Sequence, residues 1–215
     1  MDATANSLMP SDHPKVKFGK VAVLLVNLGT PDGTDYWSMR RYLAEFLSDR
    51  RVIEWSRLYW YPILHGIVLN KRPQKVGKAY EEIWNKDLNE SYLRTYTRNQ
   101  GELMAERLRD LPNVVVDWAM RYGKPSIASR IDALHAEGCE KILLFPLYPQ
   151  YAASTTATVN DKAFEHLMKM RWQPAVLLAE RHRPAGQGRP HAELLHDIDL
   201  HVDRILEPVR EQIMV

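Results

Sequence analysis

The residue types from which a binding or reacting site could be built gather in three short segments. They are NLGTP at 27–31, MRYGKPS at 120–126, and Tyr148-Pro149-Gln150-Tyr151 with Ser154, Thr155 and Thr156 just beyond it. Each taken singly also reads as a plain turn, since Gly and Pro set turn geometry, Ser126 can cap a following helix and a Thr run can bond its own backbone. Several chemistries are excluded by spacing. Gly29 and Gly33 stand four apart with Pro31 and Asp32 between them, so the dinucleotide fingerprint G-x-G-x-x-G is absent, and no G-x-x-x-x-G-K-[ST] exists to hold a nucleotide triphosphate. There is neither a G-x-S-x-G elbow nor an H-E-x-x-H helix. His13, His65, His135 and His166 are scattered, while His182, His191, His196 and His201 crowd into the last 34 residues.

Each of the three segments follows an apolar run that can position it. Residues 21–28, VAVLLVNL, are continuous and β-branched, as in a strand buried on both faces. Residues 113–119 and 141–147 repeat the pattern, and 174–178 do so more weakly. Between the first two runs, 36–111 is rich in helix formers; between the second and third, 126–137 reads as a helix closed by Gly138. The order β-α-β-α-β predicts an α/β fold, a parallel sheet flanked by helices, with all three segments at the carboxyl edge of the strands.

Composition bounds the rest. The 215 residues are 45% hydrophobic and 26% charged, as in a globular protein, and 29 Lys+Arg against 27 Asp+Glu leave a charge of only +2, which argues against a nucleic-acid partner. A single cysteine, Cys139, fits a reducing cytoplasm. No stretch reaches the roughly 20 apolar residues of a spanning helix. Residues 1–18 are polar with no secretory core, and are expected to be disordered.

The segments NLGTP, MRYGKPSI (120–127) and LYPQYAASTTATVND (147–161) closely resemble the ferrochelatase family, whose members insert ferrous iron into protoporphyrin IX to make haem. SMRRYLAEFLSDRRVIEW and RPQKVGKAYEEIWN are similar to the bacterial members, and the resemblance runs from about Gly19 to Val176. It implies a Rossmann-like lobe at 19–179, one of the two lobes between which the porphyrin sits. By the same resemblance, Arg72, Lys75, Tyr80 and Ser91 match polar groups that meet the propionates, in keeping with the donors a carboxylate needs. Arg121 and Tyr122 match an Arg-Tyr pair near the reacting face, and Leu28, Tyr148 and Ser154 line the macrocycle. The substrates implied are Fe2+ and protoporphyrin IX, with no permanently bound cofactor and no protein metal ligand assigned in this chain. Some members carry an iron–sulfur cluster with one cysteine in the Tyr-rich motif, where this chain has Ala153. With Cys139 alone, a single-chain cysteine-ligated cluster is excluded.

The resemblance also offers a reading of 36–69. Tyr42, Leu43, Phe46 and Leu47 keep helical spacing, and Trp55, Leu58, Tyr59, Trp60, Tyr61, Ile63 and Leu64 follow densely. They are either core residues or a hydrophobic lip at the pocket mouth that touches a membrane surface peripherally, at the inner face in a cytoplasmic protein.

After Val176 the chain departs from the family pattern. The Ser-x-His-[Ser/Gly]-x-Pro motif carrying the family's essential histidine, with its carboxylate partner, is absent, and 180–215 reads as a Pro/Gly/Arg linker followed by an acidic helical tail. Truncation, rearrangement or a frame change would each produce this. His191, His196 and His201 recur every five residues, which turns successive rings ~140° apart on a helix and off any one face. Asp199 and Asp203, with His196 one turn before Asp199, form either a weak metal site or a solvated helix face. Two readings follow: a ferrochelatase, or a non-catalytic porphyrin-binding lobe or inactive fragment. A lobe evolved to pack against another is further expected to self-associate through the apolar surface it exposes.

Overall fold

A computed structural model describes residues 19–179. The segments expected to form a disordered start (1–18) and a linker with an acidic tail (180–215), including the four clustered histidines, lie outside the described residues.

The first apolar run forms β1 (Lys20–Gly29), with every residue from Val21 to Val26 buried, as a run without alternation requires of a strand covered on both faces. It is central. The second run forms β4 (Val114–Tyr122), parallel to β1 on one side; the third forms β5 (Cys139–Pro146), parallel on the other; and β6 (Ala175–Leu178) pairs with β5 at the edge. The order β4-β1-β5-β6 means that the chain reverses direction across the sheet between β1 and β5. In open parallel sheets, the crevice outside the carboxyl ends at such a reversal is where ligands bind.

Helices cover both faces. On one, α5 (Ile127–Ala136) and α6 (Thr158–Leu167) bury Ile131, Leu134, Val159 and Ala163 against Ala22, Leu24 and Val26. The Ser126 hydroxyl accepts the Ser129 N–H at 3.2 Å to cap α5, and Gly138 follows its end at φ +85°, where a glycine is needed. On the other face α4 (Tyr92–Arg107) lies on β1 and β4, close enough at Gly101 that a Cβ there would meet Trp118.

The long helical stretch at 36–111 is broken more often than its composition predicts. It holds α1 (Tyr36–Leu47), α2 (Arg57–Ile63), a π-helical turn (Leu64–Val68) and α3 (Leu69–Glu82). A hairpin of two two-residue strands, β2 (Trp84–Asn85) and β3 (Glu90–Ser91), then precedes α4. Its turn is held by the Asn85 side-chain oxygen Oδ1, which accepts the N–H groups of Asp87 and Leu88, and by Asn89 at φ +49°.

One strand boundary bears directly on the site. The expected strand at 113–119 continues to Tyr122, so Arg121 and Tyr122 are strand residues rather than loop residues. The ladder to β1 runs on as far as the pair Gly29 and Tyr122, because Gly29 takes φ +112° and carries no Cβ; one there would run into the Tyr122 carbonyl oxygen.

Candidate functional site

The carboxyl edge of β1, β4 and β5 brings together Leu28, Arg121, Tyr122 and, just past β5, Tyr148. The extended ladder locks Arg121 and Tyr122 at the end of β4, where the side chains are buried at 8% and 0% exposure. Tyr122 packs with Leu28, Tyr42, Leu43 and Leu47 in an apolar cluster, and Phe46 meets its ring edge-on at 5.0 Å between centroids. The Arg121 guanidinium stands over that same ring, 4.2 Å from its centroid.

Both polar ends converge on one carboxylate. Asp49, in the loop after α1, accepts at Oδ2 from Arg121 Nη2 and from the Tyr122 hydroxyl, the latter at 2.9 Å. Asp49 Oδ1 accepts the Arg51 N–H at 2.8 Å. Arg51 in turn pairs with Asp161 in the first turn of α6 through two hydrogen bonds, one of them Nη2 to Oδ1 at 2.9 Å. The Arg51 hydrogen bonds hold the Asp161 carboxyl below its ordinary range, against a smaller opposing effect of burial. Burial pushes the phenols of Tyr122 and Tyr148 far above theirs; the nearby Arg121 charge pulls both back only in part, so they serve as neutral hydrogen-bonding groups. The Tyr148 hydroxyl and Arg121 Nε are buried without a hydrogen-bond partner among the described residues. Unpartnered buried donors at the carboxyl edge of a parallel sheet are groups a bound molecule could satisfy.

The remaining expected residues are placed differently. Tyr80, on α3, is half-buried and meets Tyr42 edge-on, 6.5 Å between centroids, so it joins the same aromatic group. Burial pushes the Tyr42 phenol far up, and its hydroxyl donates to the Gly29 carbonyl at 3.4 Å. Arg72 and Lys75 stand exposed on α3. Ser154 is exposed on a π-helical turn (Ala153–Ala157) that leads into α6, where Thr155 and Thr158 spend their hydroxyls on the Ala152 and Thr155 carbonyls. Ser91 is buried; it accepts the Arg94 N–H at 3.2 Å as the N-cap of α4, which leaves its O–H free to donate elsewhere.

Residues 36–69 divide between buried and exposed. Tyr42, Leu43, Leu47 and Leu64 are core, whereas Trp55, Leu58 and Tyr59 are 63%, 78% and 71% exposed. Trp60 is tied down at the boundary, its indole N–H donating to the Leu47 carbonyl at 2.7 Å.

A cavity of about 330 Å3 opens beside this edge, lined by Thr30, Asp32, Tyr42, Glu45 and Lys124 among others. None of the nine residues expected from sequence lines it. Glu45 reaches across to accept the Gly123 N–H at 2.9 Å, and Asp32 pairs with Arg94 at 3.0 Å. Sequence reasoning missed Asp49, Arg51 and Asp161. The signal available was the run Asp49-Arg50-Arg51 just past a helix end, an acid followed by two guanidinium groups in a loop. Among the described residues no cluster of three or more His, Cys, Asp or Glu side chains has a metal-holding arrangement, and no helix is long and apolar enough to cross a membrane.

The chain was compared with known proteins. The family model described as Ferrochelatase matches residues 20–182, so the similarity runs past Val176, where the motifs give out. A ferrochelatase of Agrobacterium fabrum is 85% identical over 174 residues, covering 81% of this chain and 51% of that protein. Those of Allorhizobium ampelinum and Brucella anthropi are 80% identical over 176 residues and 72% over 162, covering 82% and 75% of this chain and 51% and 46% of their own lengths. The chain thus spans about half the length of the curated relatives it matches. With a family match over most of its length and relatives this similar, the chain belongs to the ferrochelatase family.

Proposed function

We propose that this chain serves the insertion of Fe2+ into protoporphyrin IX by holding and bending the porphyrin. The observation that carries the reading is the grouping of Leu28, Arg121, Tyr122 and Tyr148 at the sheet's reversal point, with two buried donors unpartnered among the described residues, in a chain of this family. A flat macrocycle needs apolar and aromatic walls with few polar anchors. Leu28, Tyr148 and Ser154 would line its face, Arg121 and Tyr122 would stand at the reacting side, and Arg72, Lys75, Tyr80 and Ser91 would take the propionates.

The physical problem is that a flat ring hides its nitrogen lone pairs from an incoming ion. Binding energy from propionates and ring faces, remote from the metal, can supply the distortion that exposes them. A basic group must then take the two pyrrole protons. The resemblance assigns that task to a histidine in a motif this sequence does not contain. A second reading, supported by the Arg121 Nε and Tyr148 hydroxyl donors that a bound ring could satisfy, is that this chain binds porphyrin without inserting metal.

We further propose a cytoplasmic protein that rests peripherally on the inner membrane face through Trp55, Leu58 and Tyr59, and that self-associates through its exposed apolar surface. No resident cofactor and no nucleic-acid partner enter this reading.

An anaerobic titration of the full chain with protoporphyrin and then Fe2+, following the Soret band against a protein-free control, tests it. Haem formed faster than in the control supports insertion. A bound-porphyrin spectrum that Fe2+ does not change supports the second reading, and an unchanged spectrum throughout overturns both.

A further inference from the structure

Asp49 sits in no loop that the strand topology marks as part of a site, yet its Oδ2 accepts from two candidate site residues while its other hydrogen bonds hold the loop. Its side chain is 9% exposed and that of Arg121 8%. Oδ2 is shared by the Arg121 guanidinium and the Tyr122 hydroxyl, and Oδ1 takes the Arg51 N–H. The Asp49 carbonyl also accepts the N–H groups of Val52 and Ile53, at 3.2 and 2.9 Å, so the loop is folded back on the residue it presents. Arg51 then fastens the loop to α6 through Asp161.

A buried ion pair is poor evidence for a gain in stability, because desolvating both charges offsets their attraction. What this pair does secure is orientation. With Nη2 bound by Asp49 and the guanidinium set over the Tyr122 ring, the Arg121 side chain is held at two points, and Nε is left buried and without a partner among the described residues. Tyr122, likewise, can turn its hydroxyl only at the cost of the Asp49 bond.

We propose that Asp49 is a positioning residue of the porphyrin site: it fixes the Arg121 guanidinium and the Tyr122 hydroxyl so that Arg121 Nε remains the donor offered to the ligand. This rests on the reading of Arg121 and Tyr122 as site residues, and two readouts separate its failure from that of the reading.

The first uses the full chain labelled with 15N-arginine, in which the Arg121→Ala spectrum identifies the Arg121 guanidinium signals. A held guanidinium shows restricted rotation; Asp49→Asn is expected to release it to fast averaging, with the cooperative melt retained. The second is the protoporphyrin Kd by Soret titration. Loss of a negative charge beside the site would by itself tighten binding of a ligand bearing two carboxylates, whereas loss of orientation weakens it, by about tenfold. Weaker binding together with a released Arg121 is the expected result. Unchanged Arg121 signals in folded Asp49→Asn, or tighter porphyrin binding, overturn the proposal while leaving the proposed function standing. A wild-type chain that binds no porphyrin overturns both, since Asp49 is then a structural partner only. If Asp49→Asn does not fold, Asp49→Glu, which keeps the charge and shifts it by one methylene, is read in the same two ways.

Discussion

The two sides of the sheet's carboxyl edge are built on different plans. Toward α5 and α6 the core is more closed and mostly aliphatic, with Leu24, Ala119, Ile131, Ile142, Leu144 and Ala163 at 0–1% exposure and interlocked across three strands and two helices. Toward α1 and α3 the buried cluster is smaller and richer in aromatics, setting Tyr42 and Tyr122 among four leucines, and it is fringed by half-buried Leu28, Phe46 and Trp60. It is also roofed by the Asp49, Arg121 and Tyr122 network. Beyond it, α2 has no buried residue at all. The first side holds the sheet; the second leaves apolar and polar surface in reserve. A fold that spends its packing on one side can keep the other for a ligand, because cooperative stability need not come from both.

The largest effect expected is therefore in the closed side. Leu24→Ala removes a fully buried side chain from the central strand, where neighbours on all sides are fixed, and should cost about 3 kcal/mol in chemical denaturation. A loss below about 1 kcal/mol would mean that this core relaxes into the space and that the two sides are less different than their packing implies. Next is the seam between them. Gly29→Ala places a side chain at φ +112° against the Tyr122 carbonyl and should cost about 2 kcal/mol. Because the strain falls on the Gly29–Tyr122 rung, it should also loosen Arg121 and Tyr122, visible as weaker porphyrin binding at temperatures where the variant is fully folded.

The two sides were also unequally legible. The closed side announces itself: an uninterrupted apolar run at 21–26, then Ser126 and Gly138 bracketing one helix, are local signals that local physics obeys. The aromatic side was legible only in its buried stripe, Tyr42, Leu43 and Leu47 at helical spacing. Asp49 lies 72 and 73 positions from its partners Arg121 and Tyr122, and nothing periodic links them. Arg121 and Tyr122 themselves read as loop because polar residues end an apolar run, whereas the rung to Gly29 keeps them in the strand. The β2–β3 hairpin, two residues to a strand, is too short for any alternation to register. The roles of Leu28, Tyr80 and Tyr148 came from motif resemblance alone; as isolated residues each is an ordinary apolar or aromatic side chain.

A smaller effect tests the latch at the roof. The folded-state pKa of Asp161 is depressed by Arg51, so the pair contributes stability that is present above the ordinary carboxylate range and lost as pH falls through the depressed value. The expected outcome is that Asp161→Asn melts below the wild type at neutral pH, and that the gap closes under acid, as pH falls below the ordinary carboxylate range and through the depressed value. A gap that persists at the acid end would assign the loss to packing rather than charge.

The smallest effect expected sharpens the comparison most. Leu58, on α2, is 78% exposed, and Leu58→Ser removes almost nothing that folding has buried, so its stability should stay within about 0.5 kcal/mol of the wild type. The same change takes apolar area from the surface that Trp55 and Tyr59 share, which we propose meets a membrane. Sedimentation with anionic lipid vesicles should then fall for Leu58→Ser, and further for Leu58→Ser with Trp55→Ser, while the melts overlay. If stability falls by the amount expected for Leu24→Ala, Leu58 is buried in solution and the lip reading fails. If neither quantity moves, the exposed aromatics of α2 serve neither the core nor a lipid surface.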